Sequence, residues 1–469
     1  MSGTRSGRDA LFVAPSVCAC VSSCCVPAIL LNTQHLDNSL DGRSVHNNYV
    51  CLLRPGPSRC RFILVVPKTY FAVVCVQLQD DGGQNEPQFW VNRTLEWARQ
   101  ATAYNSTGGL FGIHWRTRAI SLQFSALAQY PWNPDLTSRQ FYTDFCQKDF
   151  GLEGSDADNC AAMFDDGKLD PTCKQHTTPA CAGPTRPPMQ GLPGAVKADG
   201  SDWKSQQPRY AFVDRIAEMD ALIHGAENRE RWMYWLSMLK SLQADAQYAT
   251  TWGAFNSAIA KAGAETDVAK RKNITMTEAM PLRIQMVQQA EIALLWKMNA
   301  TSTTGGLGAV ANFNQFVLRN SLAVDDCSSQ GASQGCQNHT TMLKEYSGMA
   351  TLPAAAMPVS TFRGVERGFV LSPRGSCERG KSLTVRYIGL LGPASAGRAN
   401  ATLHYRKLGS NSAFTPKLMN SVRSVFSADL GGDGGMVEDT EYYVSMSGTK
   451  ELLKWPPGAP THPHTVIVV

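Results

Sequence analysis

The sequence has few charged residues and little excess of either sign. Asp, Glu, Lys and Arg make up 18% of its 469 residues, and 44 basic residues against 39 acidic ones leave a net charge of +5. The basic residues are scattered along the chain rather than gathered in blocks. Because nucleic-acid-binding domains concentrate Lys and Arg on one face, the sequence gives no indication of a nucleic-acid partner.

The sequence also lacks two patterns that hold metal ions. It contains no His-Glu-x-x-His run, which metallopeptidases carry on a helix, and no Cys-x-x-Cys pair, which zinc ribbons use. The nine histidines are dispersed. We therefore predict neither a metal site nor a cofactor.

The chain has no long uninterrupted apolar run. Residues 61–78 are apolar but broken by Pro67 and Lys68, so a spanning helix is weakly indicated and membrane association through this stretch stays open. The first 31 residues begin with basic side chains, but cysteines interrupt the apolar stretch that follows, which fits a secretory signal poorly.

Cysteine, by contrast, is abundant and unevenly placed. Seven of the 14 cysteines lie before position 80. Six others bracket polar loops, one held by Cys146, Cys160, Cys173 and Cys181 and the other by Cys327 and Cys336. Gaps of 13, 12 and 7 residues in the first set do not make the tight pairs of a zinc site, so disulfides in an oxidising compartment are favoured over zinc. Cys377 is left over and is predicted to be a buried thiol.

Acceptor tripeptides for N-glycosylation point to the same compartment. There are six, all with Thr at the third position: Asn92, Asn105, Asn273, Asn299, Asn338 and Asn400. A single tripeptide is weak evidence, but six of them together with bracketing cysteines favour a secreted or lumenal, extracellular glycoprotein.

Changes in composition and hydrophobic periodicity divide the chain into four regions. We predict an irregular Cys-rich leader over residues 1–87, either disordered or misassigned to the gene, and then the end of an α/β barrel over 88–138. A helical domain follows over 139–350, with a disulfide-pinned loop at 146–202, and a β-sandwich occupies 360–469. The predicted fold class is therefore multidomain, with α/β, all-α and all-β parts in series.

Hydrophobic periodicity supports these regions. An amphipathic stretch at 90–103 precedes a buried-strand pattern at 109–114, which is one step of a (β/α) barrel. Apolar stripes of helical spacing occur at 212–223, 232–246 and 284–298. Short alternating strands of immunoglobulin or fibronectin type are indicated at 383–387, 401–405, 426–430 and 442–446, with 465–469 as a final edge strand.

Four polar or aromatic residues come directly after the strand pattern at 109–114. His114, Trp115, Arg116 and Arg118 lie where a barrel strand would end, at the face that carries the active site in such barrels. A Trp ring for stacking and two Arg donors suit a sugar, including an acidic or sulfated one. In the competing interpretation the arginines pair with carboxylates on neighbouring loops and Trp115 caps the barrel. Spacing alone does not decide between the two.

Part of the chain resembles a glycoside-hydrolase-type barrel at its last strand and following helix. The resemblance is carried by Gly-Ile-His-Trp-Arg-Thr-Arg at 112–118, Ala-Leu-Ala-Gln at 126–129 and Trp-Asn-Pro at 132–134. The helical and sandwich portions of large secreted carbohydrate-active proteins are similar to Leu-Gly-Ala-Val-Ala-Asn-Phe at 307–313, Leu-His-Tyr-Arg at 403–406 and Glu-Tyr-Tyr-Val at 441–444. Together these stretches extend the resemblance over about residues 90–469.

This resemblance implies a carbohydrate-active protein with a polysaccharide or another glycan as its partner. His114, Trp115, Arg116 and Arg118 would line the sugar subsite. An eight-stranded barrel needs about 250 residues, and far fewer precede the strand pattern at 109–114. The sequence therefore shows neither the earlier strands nor the two catalytic carboxyl groups of a glycosidase. We expect a truncated or inactive relative, which would hydrolyse O-glycosyl bonds only if those strands were supplied. The alternatives are a noncatalytic extracellular glycan- or protein-binding protein and an inactive gene-model fragment.

Overall fold

The computed structural model describes residues 50–52, 61–63, 74–77, 89–103, 110–113, 118, 121–165, 196, 198–313, 318, 321–322, 339–358 and 365–469. These residues form helices together with antiparallel and mixed sheets, so the chain is a mixed α and β protein. A small sheet comes first, a layer of helices follows it, and two further sheets occupy the part beyond residue 365.

Four short strands form the first sheet. Their order is β1 (Val50–Leu52), β2 (Arg61–Ile63), β3 (Val74–Gln77) and β4 (Leu110–Ile113). The first two pairs are antiparallel, whereas β3 and β4 run parallel. Helix α1 (Val91–Ala103) connects β3 to β4, which makes a parallel strand–helix–strand crossover. Three of these strands come from residues 1–87, where the sequence pattern indicates no strand.

The strand β4 lies at the edge of this sheet, because β3 is its one partner among the described residues. The helix at 90–103 and the strand at 109–114 are confirmed as elements. The described strands do not close into a barrel. The assignment of residues 88–138 to a barrel end therefore stays a prediction.

Helices dominate the described residues between 121 and 347. Their bounds are α2 (Ser121–Gln129), α3 (Ser138–Phe150), α4 (Gly154–Phe164), α5 (Trp203–Gln206), α6 (Ala211–Glu218), α7 (Ala226–Ala264), α8 (Val268–Ile274), α9 (Met280–Asn299), α10 (Thr304–Asn312) and α11 (His339–Ser347). Short 3-10 turns at Gln207–Tyr210 and Met219–Leu222 flank α6, and a π-helical turn at Thr275–Ala279 joins α8 to α9. With 39 residues, α7 is about 58 Å long.

Local sequence signals set several helix ends. Thr137 and Gln140 form a reciprocal capping box at the start of α3, and Gly151 ends that helix in the left-handed conformation at φ 69°. The apolar stripe at 212–223 predicts Gly225 as a helix end. The structure instead places Gly225 at the start of α7 with φ 83°, because the chain turns sharply there between α6 and α7.

Two apolar cores lie along α7. The first packs the N-terminal half of α7 against α1 to α4 and α6, and it is rich in aromatic rings such as Phe150 and Trp232. The second packs the C-terminal half of α7 against α9 and α11. The disulfide Cys146–Cys160 joins α3 to α4 at the first core.

A buried arginine ties three separate segments to α9 in the second core. The Arg283 guanidinium donates hydrogen bonds to the carbonyl oxygens of Ala356 (3.0 Å), Ser321 (3.0 Å) and Leu322 (3.2 Å) and to the Thr340 hydroxyl (3.3 Å). Burial lowers the pKa of Arg283 to about 10. The carbonyl dipoles thus solvate a cation that the apolar core would otherwise leave unsatisfied.

The neighbouring histidine makes stability depend on pH. His339 is buried against Phe255, its Nδ1 lies 3.3 Å from the Ser321 carbonyl oxygen, and burial lowers its pKa from the ordinary 6.5. The unfolded chain therefore takes up this proton at a higher pH than the folded chain. The contribution to stability is complete above pH 6.5 and is lost as the pH falls below it, by up to about 1.4 kcal/mol per pH unit.

Chemical denaturation at pH 7.5 and pH 5 measures this effect. The variant His339→Gln is expected to lose less stability between the two pH values than the wild type. His404 adds a slope of the same sign that both proteins keep, because burial and then Lys454 lower its pKa. Equal slopes in the two proteins would show that His339 does not carry the pH dependence.

The C-terminal part consists of two sheets that share one core. The first contains β10 (Asn420–Val422), β11 (Val425–Leu430), β7 (Leu383–Leu390) and β5 (Arg367–Val370), all antiparallel. The second contains β6 (Ser376–Cys377), β14 (His464–Val468), β12 (Thr440–Ser447), β8 (Asn400–Lys407) and β9 (Thr415–Leu418), with β13 (Leu453–Trp455) also paired to β12. Alternate residues of both sheets, such as Val385 and Val444, are buried in the shared core.

The four strands that alternation predicts are all present, within β7, β8, β11 and β12. The final strand differs from its prediction. β14 is not an edge strand, because β12 pairs with it on one side and β6 on the other. The strand β6 has two residues, which is too short to leave a periodic pattern in the sequence.

Candidate functional site

Arg118 is the one predicted sugar-site residue that the structure places. His114, Trp115 and Arg116 lie outside the described residues. Arg118 lines a cleft of about 820 Å³ at the junction of the helical layer and the C-terminal sheets. The first two turns of α7, the end of α9, β5 and β13 form its other walls.

An ion pair crosses this junction. The Arg367 guanidinium, on the first residue of β5, pairs with the carboxylate of Glu230 on α7. Its Nε also donates to the Thr301 carbonyl oxygen at 2.5 Å. Arg367 is thereby fixed from two sides, by a carboxylate and by a backbone carbonyl just beyond α9.

Arg118 has a different environment. Its guanidinium stacks over the ring of Tyr234, 3.7 Å from the centroid, and donates a hydrogen bond to the Ser302 hydroxyl. No carboxylate of the described residues pairs with it. Burial lowers the pKa of Arg118, although Tyr234 and Glu230 oppose this. Arg118 is thus a partly buried cation at the cleft wall whose direct partners are neutral.

One further carboxylate lies within electrostatic range of Arg118. Burial raises the pKa of Asp149, while Arg231 and Arg118 lower it. The Arg231 Nε donates to the Asp149 carbonyl oxygen at 2.8 Å and lies 3.9 Å from its carboxylate. Asp149 is therefore directed mainly to Arg231 rather than to Arg118.

An aromatic side chain forms another part of the cleft wall. The Trp455 ring is half-buried, with its centroid 6.1 Å from that of Tyr442 and 5.4 Å from that of His464. These neighbours hold the indole in one orientation. A fixed, partly exposed indole beside Asn299 and the two arginines provides a stacking surface next to hydrogen-bond donors.

Glu366 lines the same cleft but is occupied by other groups. The Ser395 hydroxyl donates to it at 2.7 Å, and the backbone N–H of Lys450 donates at 2.6 Å. These two hydrogen bonds lower the pKa of Glu366, because they stabilise the charged form. Glu366 is thus ionised at neutral pH and connects α12 (Pro393–Ala396) to the segment before β13.

The predicted disulfide cysteines are placed in part. Cys146 pairs with Cys160, while Cys173, Cys181, Cys327 and Cys336 lie outside the described residues. Cys377 carries a free thiol, but it is half-buried at the end of β6 rather than buried, with its Sγ 3.4 Å from the Lys381 carbonyl oxygen.

The predicted glycosylation sites differ in exposure. Asn273 and Asn400 are exposed, Asn92 and Asn299 are half-buried, and Asn105 and Asn338 lie outside the described residues. Asn400 begins strand β8, whereas the other three placed asparagines lie in helices. Asn400 is therefore the best-presented acceptor of the four.

Two catalytic patterns in the sequence need a structural test. Gly375 to Ser382 match the spacing of a phosphate-binding loop, Gly-x-x-x-x-Gly-Lys-Ser. Such a loop joins a strand to a helix and leaves its N–H groups free for phosphate, but here the strand β7 follows it. The N–H groups of Arg379, Gly380 and Lys381 all bond to carbonyl oxygens. The match is therefore a turn between strands and not a nucleotide site.

The second pattern, Gly-x-Ser-x-Gly at 331–335, is the spacing of a hydrolase nucleophile elbow. It lies outside the described residues, so Ser333 has no placed partners. The residues before it, Asp325 to Gln330, are polar, which is not the buried strand that an elbow requires.

Among the described residues, no three His, Cys, Asp or Glu side chains converge as a metal site would require. No helix in that part of the chain is long and apolar enough to cross a membrane. In comparisons with known proteins, no family pattern matches the chain, and no curated protein is detectably similar to it in sequence. The function has to be argued from the cleft itself.

Proposed function

We propose that the protein is a secreted or lumenal carbohydrate-binding protein that holds a glycan in the cleft at Arg118 and does not hydrolyse it. The observation that carries this proposal is the joint presence of Trp455, Arg118, Arg367 and Asn299 around one open cavity. Sugar sites combine an aromatic face with a few directed polar groups in this way.

Two carboxylates that line the cleft favour binding over hydrolysis. A glycosidase needs one carboxyl group that stays protonated as the general acid and a second that acts as nucleophile or base. Glu230 is paired with the Arg367 guanidinium, and hydrogen bonds lower the pKa of Glu366. Glu366 is therefore not suited to act as a general acid at neutral pH, and Glu230 is occupied by a cation.

The proposed architecture follows the sequence resemblance. Residues 88–138 would be the end of a glycoside-hydrolase-type α/β barrel, and residues 360–469 a sandwich of immunoglobulin or fibronectin type. The crossover β3–α1–β4 and the two sheets with a common core support this proposal. As the sequence resemblance implies, His114, Trp115 and Arg116 are proposed to belong to the same sugar subsite.

The proposed compartment is oxidising. The Cys146–Cys160 disulfide and the exposed acceptor Asn400 support secretion or residence in the lumen. Peptide mass spectrometry of non-reduced, secreted protein should find Cys146 linked to Cys160 and a glycan on Asn400. Free thiols at both cysteines would contradict the proposed compartment.

The variant Trp455→Ala tests glycan binding. Protein made in a bacterial periplasm forms disulfides and carries no N-glycan on Asn299, so the cleft is open. A glycan array identifies the saccharide, and titration calorimetry is then expected to show binding weakened by about 1–3 kcal/mol when the indole is lost. The bound saccharide should remain uncleaved on long incubation.

The matched control is Trp132→Ala, because Trp132 is 90% exposed and lies outside the cleft. Its affinity should equal that of the wild type. If Trp455→Ala does not fold, Asn299→Ala removes a cleft amide without touching the core and should also weaken binding. No saccharide bound on the array, or unchanged affinity in the folded cleft variants, would contradict the proposal.

A further inference from the structure

We infer that the cleft recognises an anionic sugar substituent, a carboxylate or a sulfate, held between Arg118 and Arg367, with Glu230 as a built-in competitor for it. This inference rests on the proposed function, since it names the chemical class of the glycan.

Arg118 carries a charge that the described residues do not neutralise by direct contact. An arginine stays protonated in proteins, and a cation removed from water is stabilised mainly by a nearby anion. The described residues give Arg118 a hydroxyl and an aromatic ring but no carboxylate partner. A ligand anion in the cleft would supply the missing countercharge.

The other charged groups near Arg118 are engaged elsewhere. Those that influence Arg118 most are Glu230, Arg367 and Asp149. Asp149 is directed to Arg231, and Glu230 pairs with Arg367. Arg229, which also lines the cleft, is already paired with Asp220 at 2.9 Å. Of the three guanidiniums that line the cleft among the described residues, Arg118 is therefore the one without a carboxylate partner.

Glu230 is partly accessible on Arg367. It lies on the second turn of α7, and its side chain is 27% exposed. Arg367 has a second hydrogen bond, from its Nε to the Thr301 carbonyl oxygen, which does not involve Glu230. A ligand anion can then replace the Glu230 carboxylate on Arg367 while it also contacts Arg118.

Two variants with opposite expected effects test this inference. Arg118→Gln removes the unpaired cation, and the affinity for an anionic saccharide is expected to fall about tenfold or more. Glu230→Gln removes the competitor, and the affinity for the same saccharide should rise several-fold. Arg398→Gln is the control, because Arg398 is exposed and bonds to the Ala394 carbonyl of the preceding helix α12. Thermal melts check that each variant is folded.

The probes are three saccharides with one backbone: dextran, dextran sulfate and carboxymethyl-dextran. Dextran sulfate and carboxymethyl-dextran separate sulfate from carboxylate recognition, and unmodified dextran reports the contribution of the neutral sugar. The melting temperature is also compared in sodium sulfate and in sodium chloride at equal ionic strength. The difference reports binding of the anion without a sugar. Added salt should weaken the binding of the charged dextrans and leave the binding of neutral dextran unchanged.

The outcomes separate this inference from the proposed function. Tighter binding of a charged dextran that Arg118→Gln abolishes and Glu230→Gln strengthens would support both. Equal binding of neutral and charged dextrans, or charged binding unaffected by Arg118→Gln, would overturn the anion site and leave glycan binding standing. If no saccharide binds but sulfate raises the melting temperature in an Arg118-dependent way, the anion site stands and the proposed function fails. No response to any probe overturns both.

Discussion

Replacing Lys297 with methionine is expected to lower the free energy of unfolding by about 3–5 kcal/mol. The Lys297 ammonium on α9 lies 2.5 Å from the Asp245 carboxylate and 2.8 Å from the Ser241 hydroxyl, both on α7. The two charged side chains are 7% and 0% exposed. Methionine has a similar volume but removes the ammonium group beside the buried Asp245 carboxylate, and the loss of one partner of a buried ion pair is costly. Chemical denaturation at pH 7 measures the loss.

A surface ion pair between α7 and α6 is the control for this substitution. Lys240 on α7 lies 2.6 Å from Asp214, whose side chain is 59% exposed. Lys240→Met should cost at most about 1 kcal/mol, because water solvates the remaining carboxylate. The double variant Lys297→Met with Asp245→Leu should recover most of the lost stability, since an apolar pair replaces the ion pair. Similar losses for Lys297→Met and Lys240→Met would contradict this account.

Replacing Gly253 with alanine is expected to destabilise the fold by about 3 kcal/mol. A Cβ at this position of α7 would lie 1.8 Å from the Asp199 carbonyl oxygen, which is backbone and cannot rotate away. The segment before α5 rests on α7 here, with the Asp199 N–H donating to the Ala249 carbonyl oxygen at 2.8 Å. Alanine is the better helix former by about 1 kcal/mol, and the steric clash must exceed this gain.

Gly263, near the end of the same helix, is the matched control for Gly253. A Cβ there would approach the Tyr346 hydroxyl at 3.0 Å, which is the movable end of a side chain. Gly263→Ala should therefore change the melting temperature little, while Gly253→Ala lowers it by several degrees or more. A Gly253→Ala protein as stable as the wild type would mean that the segment around Asp199 does not pack against α7.

The elements with strong periodicity were predictable, and those without it were not. The apolar stripes at 232–246 and 284–298 lie within α7 and α9, and alternation located four C-terminal strands. The strands β1 to β3 are short and depend on pairing with each other, so their sequences show no pattern of their own. The 39-residue length of α7 was also missed, because apolar residues surround much of its circumference and blur the stripe.

The candidate site was predictable at one residue. Arg118 stands out in the sequence because it follows a strand pattern closely. Its partners Tyr234 and Ser302 lie more than a hundred positions away, and Glu230 and Arg367 are separated by 137. No local spacing reports such contacts, since the fold alone brings these segments together. Lys297 illustrates the same limit: its charge suggests an exposed position, and a carboxylate 52 residues earlier keeps it buried.

The cleft and the two apolar cores of the helical layer follow one another along helix α7. Its first two turns line the cleft, the rest of its N-terminal half packs in the first core and its C-terminal half packs in the second. A ligand that stiffens the first turns would slow amide hydrogen exchange there most, and the protection would fade toward Ala264. The decrease in protection along α7 would therefore measure how far into the protein ligand binding in the cleft changes local stability.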